Sequence, residues 1–250
     1  MRRAWLVLLA GCSFDTTLGR PGDGGVDAPS TDAAPLDAQP DARVAPFCDT
    51  TDSSLLACYE FENTTQDASP NMLDATMTNV AFVAGKVGLA MEFGATSAAD
   101  IADSTKIDVA ALTVEAWINP AQLPGTGQRA GIADMNGQWG LFVHEPTGRL
   151  QCTMVGGVSM QIDANIAANT WTHVACTYDA GTTTIYVNGV NRFQQGGGGA
   201  LSTGGTSGIS LGADNPPGSG SRLIGLIDQV RLFSRARTAA EVCADAACLP

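Results

Sequence analysis

The sequence predicts an all-β fold, a two-sheet antiparallel sandwich, and three observations carry this prediction. Short runs rich in valine, isoleucine, threonine and aromatic residues recur from residue 48 to residue 250, separated by glycine and asparagine. The chain has 29 glycines in 250 residues, which favours many turns. Charged residues make up only 15% of it, which argues against coiled coils and long surface helices.

The strand segments follow one another at short intervals, as in a β-sandwich or jelly roll. The dipeptide Asn188-Gly189 predicts a type I′ hairpin between the segments TTTIYV and VNRFQ. Only Thr238–Ala246 has a helical pattern, and the glycine run 196–199 predicts a flexible loop. In order, the predicted strands are Leu55–Glu62, Leu89–Phe93, Thr113–Ile118, Gly140–His144, Leu150–Val155, Thr172–Tyr178, Thr183–Asn188, Gly208–Gly212 and Leu223–Phe233.

Six ordered sequence blocks between residues 57 and 242 resemble LamG-like jelly rolls. The blocks are ACYEFENTTQDASPN, GKVGLAMEFG, TVEAWI, WTHVACTYD, TIYVNG and LIDQVRLFSRARTAAEV. The resemblance implies the concanavalin A-like lectin/glucanase architecture for residues 48–250, with two antiparallel sheets packed face to face. It also implies a domain that binds glycans or proteins at its loop rim or concave face, in a family where many members carry calcium.

The N-terminus MRRAWLVLLAGC has the pattern of an export signal, with Arg2 and Arg3 before a short apolar stretch. Leu9-Ala10-Gly11-Cys12 resembles a bacterial lipobox, which implies a signal peptide over 1–11 and a lipid on Cys12. The alternative is a plain signal peptide with an incidental cysteine. Ser13 resembles the sorting pattern of outer-membrane lipoproteins, so we expect an exported, lipid-anchored protein on either face of that membrane.

Residues 12–47 are rich in aspartate, proline and alanine, and their low hydrophobicity predicts a disordered tether. The whole chain has a formal net charge of −12 and no basic block, which excludes nucleic acid as a partner. Six further cysteines in an exported chain predict disulfides. Proximity favours the pairs Cys48–Cys58, Cys152–Cys176 and Cys243–Cys248.

Catalytic signatures are weak, so we predict a protein that is not an enzyme. Glu115 in TVEAWINP stands alone, whereas laminarinase-like enzymes carry two acids on the comparable strand. His144-Glu145 lacks the second histidine of a zinc motif, and no G-x-S-x-G motif is present. His173 in WTHVA is interpreted as a packed, hydrogen-bonded ring.

One structural calcium ion is predicted near the first and last strands. Its expected ligands are Asp228, Glu62 and Asp67, because calcium prefers carboxylate and carbonyl oxygens. The position of Asp228 resembles the calcium aspartate of the wider superfamily. In the alternative interpretation, Asp228 pairs with an arginine such as Arg231 or Arg222, or caps backbone amides. Strand alternation places Asp228 beside Leu226 and Val230.

Two loops have the composition of a glycan site. The first holds Asp134, Asn136 and Trp139, and the second holds Asp214 and Asn215. Trp139 is either an aromatic platform or a core residue. We therefore predict a surface-displayed binding module for an extracellular or envelope glycan. The alternatives are a structural or protein–protein component of the envelope and, more remotely, a divergent glycoside hydrolase.

Overall fold

The computed structural model describes residues 46–218 and 221–248. The predictions for Cys12, the signal peptide and the tether up to residue 45 lie outside them. The described residues form the strands β1 Leu55–Tyr59, β2 Ala75–Thr78, β3 Ala81–Ala84, β4 Leu89–Phe93, β5 Ala98–Ile101, β6 Leu112–Gln122, β7 Arg129–Met135, β8 Trp139–His144, β9 Arg149–Met154, β10 Met160–Asp163, β11 Thr172–Asp179, β12 Thr182–Val187, β13 Val190–Gln195, β14 Ile209–Leu211 and β15 Ile224–Phe233. The helix is α1 Ala239–Asp245. In the part of the chain that the structure describes, no helix is long and apolar enough to span a membrane.

The strands form two antiparallel sheets, which confirms the predicted fold. Sheet A has the order β13-β12-β11-β6-β15-β4-β3, and β1 also pairs with β15. Sheet B has the order β10-β9-β8-β7-β14-β5-β2. Each of the nine predicted segments overlaps a strand, and Asn188 and Gly189 take the positive φ angles of 50° and 75° that a type I′ turn requires.

The core lies between the inner faces of the two sheets, where alternate residues of each strand meet. In β6, for example, Val114, Ala116 and Ile118 point into the core, which places Glu115 and Trp117 on the outer face. Each sheet therefore has one buried inner face and one outer face. The outer faces are where functional side chains are available.

The three predicted disulfides are all present. Cys152 of β9 and Cys176 of β11 are fully buried, so this bond links sheet B to sheet A through the core, with a Cα–Cα distance of 6.3 Å. Cys48–Cys58 holds the segment before β1, and Cys243–Cys248 closes the end of α1. Thr238 caps α1 through a capping box with Glu241.

The glycine run 196–199 differs from the predicted flexible loop because backbone packs on backbone there. The N–H of Gly198 donates to the carbonyl of Gly181 at 2.9 Å, and the N–H of Gly199 donates to Gly156 at the same distance. A Cβ on Gly198 would lie 2.9 Å from the Tyr178 hydroxyl. Glycine is needed in this run for close approach rather than for mobility.

Candidate functional site

A loop formed by residues 213–217 folds over the outer face of sheet B. A Cβ on Gly131 of β7 would lie 2.1 Å from the carbonyl carbon of Ala213, so only glycine allows this approach. The N–H of Gly212 donates to Ile132 at 3.0 Å, and the N–H of Gly131 donates to Ser221 at 3.0 Å. Strand β7 therefore sets the position of the loop.

Asp134 also holds this loop, through a hydrogen bond to its backbone. The register of β7 places Asp134 on the outer face, opposite Gly140 of β8 and Ser210 of β14. Its Oδ2 accepts a hydrogen bond of 2.7 Å from the backbone N–H of Asn215. Burial, together with the neighbouring carboxyl of Asp214, raises the pKa of Asp134 to about 7 against the opposing effect of the Asn215 amide.

Asp214 is neutralised by Arg129, whose guanidinium binds both carboxylate oxygens at 2.9 and 3.0 Å. The same guanidinium carbon lies 4.0 Å from the centre of the Phe142 ring. Two residues of the predicted second loop thus lie against Asp134 of the predicted first loop. The structure brings these three predicted ligand-binding residues together.

Beside this loop lies a groove of about 360 Å³, which we call the sheet B groove. Ser210 donates its hydroxyl to Asp100 Oδ1 at 2.6 Å, and Asn215 Nδ2 donates to the Gly208 carbonyl at 2.9 Å. Arg222 donates to the Ser97 carbonyl. The lining residues are Ala98, Asp100, Ile101, Ala102, Asp103, Thr206, Gly208, Ile209, Ser210, Ala213, Asn215, Pro217 and Arg222.

The chemistry of the groove is that of a hydrogen-bond acceptor. Asp100 and Asp103 contribute carboxylates, while the Ser210 hydroxyl and one of the two Asn215 side-chain N–H groups already donate within the protein. A second groove, of about 380 Å³, includes Arg222, Gln122 and Gln128, with no carboxylate among its lining residues. Charged acceptors therefore distinguish the sheet B groove.

Trp139 and Asn136 do not join the cluster of Asp134, Asp214 and Asn215, and of these five predicted residues only Asn215 lines the sheet B groove. Trp139 is 1% exposed and lies in the core between the sheets, so its interpretation as an aromatic platform is wrong. Side chains alternate along β8, so Trp139, Leu141 and Val143 point into the core while Phe142 points outward. Asn136 is exposed in the turn between β7 and β8, but it does not line the sheet B groove.

The predicted calcium ligands do not form one site. Asp67 accepts hydrogen bonds from Cys58 and Ser69 on one oxygen, and from Ser69 and Leu73 on the other. These four donors occupy the oxygens that a cation would need. Within 46–218 and 221–248, no group of three or more histidine, cysteine, aspartate or glutamate residues is placed to hold a metal ion. Calcium binding itself stays a prediction.

Asp228 caps backbone amides, which was one of the alternatives. Its Oδ2 accepts hydrogen bonds from Lys86 at 2.8 Å and Val87 at 3.0 Å, and Glu62 accepts one from nearby Leu89 at 3.1 Å. Burial raises the pKa of Asp228 to about 6. A bulge at Gln229, with φ of 48°, breaks the expected alternation, so Val230 enters the core while Asp228 faces outward.

The outer face of sheet A carries a buried ionic cluster of five residues. Arg231 lies 2.8 Å from Glu115 and 2.7 Å from Asp245, and Arg237 lies 2.8 Å from Asp245. His173 Nε2 is 3.6 Å from Glu115. Burial raises the pKa of Glu115 to about 7 against the opposing effect of Arg231, and burial lowers the pKa of His173 to about 3. The His173 ring packs edge-on against Trp117 as predicted, but its Nδ1 has no hydrogen-bond partner, so the predicted hydrogen bonding is not found there.

Two terminal segments cover this cluster. Val242 of α1 packs on Ala175 and Tyr186, and Arg231 donates to the Phe47 carbonyl at 2.8 Å. The Arg231 guanidinium also lies 4.1 Å from the centre of the Phe47 ring. Glu115 is 1% exposed, so no substrate reaches the acid that sequence patterns single out for catalysis.

Solved structures with the same fold are binding domains and a domain of an enzyme. Domain 4 of AbnA, a GH43 extracellular arabinanase from Geobacillus stearothermophilus solved with arabinotriose, matches with a TM-score of 0.63 and 24% identity. The match covers 77% of this chain and 98% of that domain. At this identity the likeness shows the fold alone.

Toxin binding domains match over about half of their own length. The binding domain of Paraclostridial Mosquitocidal Protein 1 gives a TM-score of 0.61 at 19% identity, covering 76% of this chain and 51% of that one. The binding domain of Botulinum Neurotoxin DC, solved with SialylT, gives 0.59 at 14% identity, covering 78% and 51%.

No curated protein matches the chain in sequence. A family model described as the concanavalin A-like lectin/glucanases superfamily matches residues 93–243, which span both sheets and the strands that bear the sheet B groove. Because the match covers more than half of the residues, the chain belongs to the concanavalin A-like lectin/glucanases superfamily.

Proposed function

We propose that the protein is a non-catalytic carbohydrate-binding module whose ligand occupies the sheet B groove. The observation that carries this proposal is the acceptor-lined groove beside a loop that Asp134 holds in place. Ligand sites are concave and place a few polar groups precisely against an apolar wall. Here Asp100 and Asn215 provide the polar groups, and Ala98 and Pro217 provide aliphatic wall.

The comparisons support this class of ligand without identifying it. The arabinanase domain was solved with arabinotriose, and one related toxin structure concerns cell entry through two ganglioside molecules. Another toxin complex contains rat synaptotagmin II, a protein. Glycans and proteins are thus both ligands of this fold, and the groove chemistry favours a glycan.

The non-catalytic part of the proposal rests on Glu115. Glycoside hydrolysis needs two carboxyl groups that flank the scissile bond, and Glu115 is buried beneath α1. The remote alternative, a divergent hydrolase, places Asp100 and Asp103 in that role. Release of reducing ends from a bound glycan, abolished by Asp100→Asn, would establish the hydrolase and remove the non-catalytic proposal.

The binding test uses the full chain with its disulfides intact and a panel of plant, bacterial and animal polysaccharides in affinity electrophoresis. We expect retardation by at least one glycan, and at least a tenfold loss of affinity in Asn215→Ala. Gln122→Ala, in the second groove, is the matched control and should bind as the wild type does. A panel without any binding, or equal losses in both variants, would contradict the proposed site.

A protein–protein role is the second candidate, and the edge strand β13 is the observation that favours it. All six of its residues are exposed, including Val190 and Phe193, and an exposed strand edge can pair with another chain. Reproducible cross-links from β13 to one envelope protein, lost in Phe193→Lys, would favour this candidate over glycan binding.

Membrane anchoring is a separate part of the proposal. We propose that a lipid on Cys12 holds the module at the outer membrane through the predicted tether of residues 12–47, whose last residue, Phe47, packs against Arg231. Two acyl chains anchor a protein stably where one is marginal. Cys12→Ser should move the protein from the membrane fraction to the soluble fraction, and a variant that still sediments with membranes would show that the anchor lies elsewhere.

A further inference from the structure

Resting on the proposed function, we infer that the sheet B groove selects uncharged glycans through their hydroxyl donors and rejects sugars that carry carboxylates. This inference rests on Asp100, Asp103 and Asn215, which line one groove. The nearby arginines already have hydrogen-bond acceptors within the protein.

The groove presents acceptors in excess of donors. The Ser210 hydroxyl donates a hydrogen bond to one oxygen of Asp100, which leaves the second Asp100 oxygen for a ligand. Asn215 donates one of its two side-chain N–H groups to Gly208, which leaves the other N–H and the amide oxygen for a ligand. Asp103 adds a further carboxylate. A neutral sugar supplies the matching hydroxyl protons, and hydrogen bonds to charged acceptors are the stronger kind.

The two arginines near the groove, Arg129 and Arg222, each have a hydrogen-bond acceptor within the protein. Arg129 is bound at both carboxylate oxygens of Asp214, and Arg222 donates to the Ser97 carbonyl. Two carboxylates and one guanidinium line the groove, so its formal charge is negative. A uronate or sialate would meet two carboxylates there, and among the described lining residues only Arg222 carries the opposite charge.

The net charge of the whole chain also disfavours acidic ligands. The chain has a formal net charge of −12, so an acidic polysaccharide is repelled before it reaches the groove. Salt weakens this long-range part beyond about 8 Å at physiological ionic strength, whereas contacts within the groove are screened less. The contact part of the discrimination should therefore persist at moderate salt.

Recognition here depends on hydrogen bonds rather than on stacking. Of the described residues that line the sheet B groove, none is aromatic, and its apolar wall consists of small aliphatic residues such as Ala98 and Pro217. A charged ligand therefore has no ring contact to offset repulsion by Asp100 and Asp103.

The test pairs each acidic glycan with its uncharged counterpart: sialylated oligosaccharides with their desialylated forms, and uronate polysaccharides with their carboxyl-reduced forms. Dissociation constants are measured for the full-length protein at about 150 mM salt. We expect the uncharged member to bind at least tenfold more tightly in every pair that binds. The double variant Asp100→Asn with Asp103→Asn should reduce this ratio at least threefold.

Asp179→Asn is the matched control, because it removes one negative charge from sheet A and should leave the ratio unchanged. Tighter binding of the acidic member, or an unchanged ratio in the double variant, overturns the inference while the glycan-binding function stands. Failure of every glycan to bind removes the proposed function and this inference together.

Discussion

The outer faces of the two sheets bury a carboxyl in the same way but differ in what covers it. On sheet A, Glu115 lies under α1 and the segment at Phe47, and disulfides close both covering segments. On sheet B, Asp134 lies under a single loop held by hydrogen bonds. Segments with few constraints open at low free energy, and binding sites are drawn from them. The difference separates a structural face from the proposed binding face.

The largest expected effect is on the sheet A face. Arg231→Met leaves Glu115 and Asp245 with less compensating charge, and breaking a buried ion pair costs about 3–5 kcal/mol. Chemical unfolding measures this loss, and glycan affinity should be unchanged below the unfolding transition. The matched control is Arg149→Met, whose partner Asp163 is 80% exposed, with an expected loss below about 1 kcal/mol. Equal losses in the two variants would contradict a structural role for the cluster.

On the sheet B face, Gly131→Ala should move the covering loop. The new Cβ would meet the backbone at Ala213, so we expect a loss of about 1–3 kcal/mol together with weaker glycan binding. Gly196→Ala is the control, because its Cβ would lie 3.6 Å from Thr182 Oγ1, an ordinary contact. Thermal melting and a binding titration measure both effects. Full binding by Gly131→Ala would show that the loop position does not matter.

Asp228 tests whether the sheet A face is organised by hydrogen bonds or by an ion. Asp228→Ala leaves the amides of Lys86 and Val87 without their acceptor, and we expect a loss of about 1–2 kcal/mol. Asp228→Asn keeps an acceptor and should lose less. Melting curves are recorded with and without chelator. A wild-type melting temperature that falls on chelation would establish the predicted calcium ion and contradict the account by hydrogen bonds alone.

The pH dependence of stability tests the burial of Asp134. The pKa of Asp134 is about 7 in the folded protein, above its ordinary value of 3.8, so the folded state holds the proton more tightly. This contribution is complete below about pH 4 and is lost as the pH rises to 7. Asp134→Asn should flatten the fall in melting temperature over this range. A pH profile identical to that of the wild type would show that Asp134 titrates normally.

The sequence predicts the fold well because β-branched and aromatic residues mark most of the strands. Strands β2, β3, β5, β7 and β10 are missed, and in β5 and β7 the reason is that AADI and RAGIADM contain small residues with low strand propensity. In β7 the small size has a purpose, since the loop packs directly on Gly131. The Gln229 bulge is likewise invisible to a strict alternation pattern.

The site is only partly predictable from the sequence. Residue type identifies Asp134, Asp214 and Asn215, but their convergence depends on the pairing of β7 with β14, more than seventy residues later in the chain. Asp100 and Ser210 lie within strands and give no loop signal. Trp139 carries the composition of a sugar platform, and only the register of β8 shows that it belongs to the core.

Hydrogen–deuterium exchange of the full chain, with and without a bound uncharged glycan, tests the central claim most directly. The account predicts slower exchange for residues 98–103 and 206–217, which line the sheet B groove. Residues 114–118 and 239–245, on and over the outer face of sheet A, should exchange as in the free protein. Protection confined to sheet A or to β13, with the groove segments unchanged, would contradict the assignment of sheet B as the binding face.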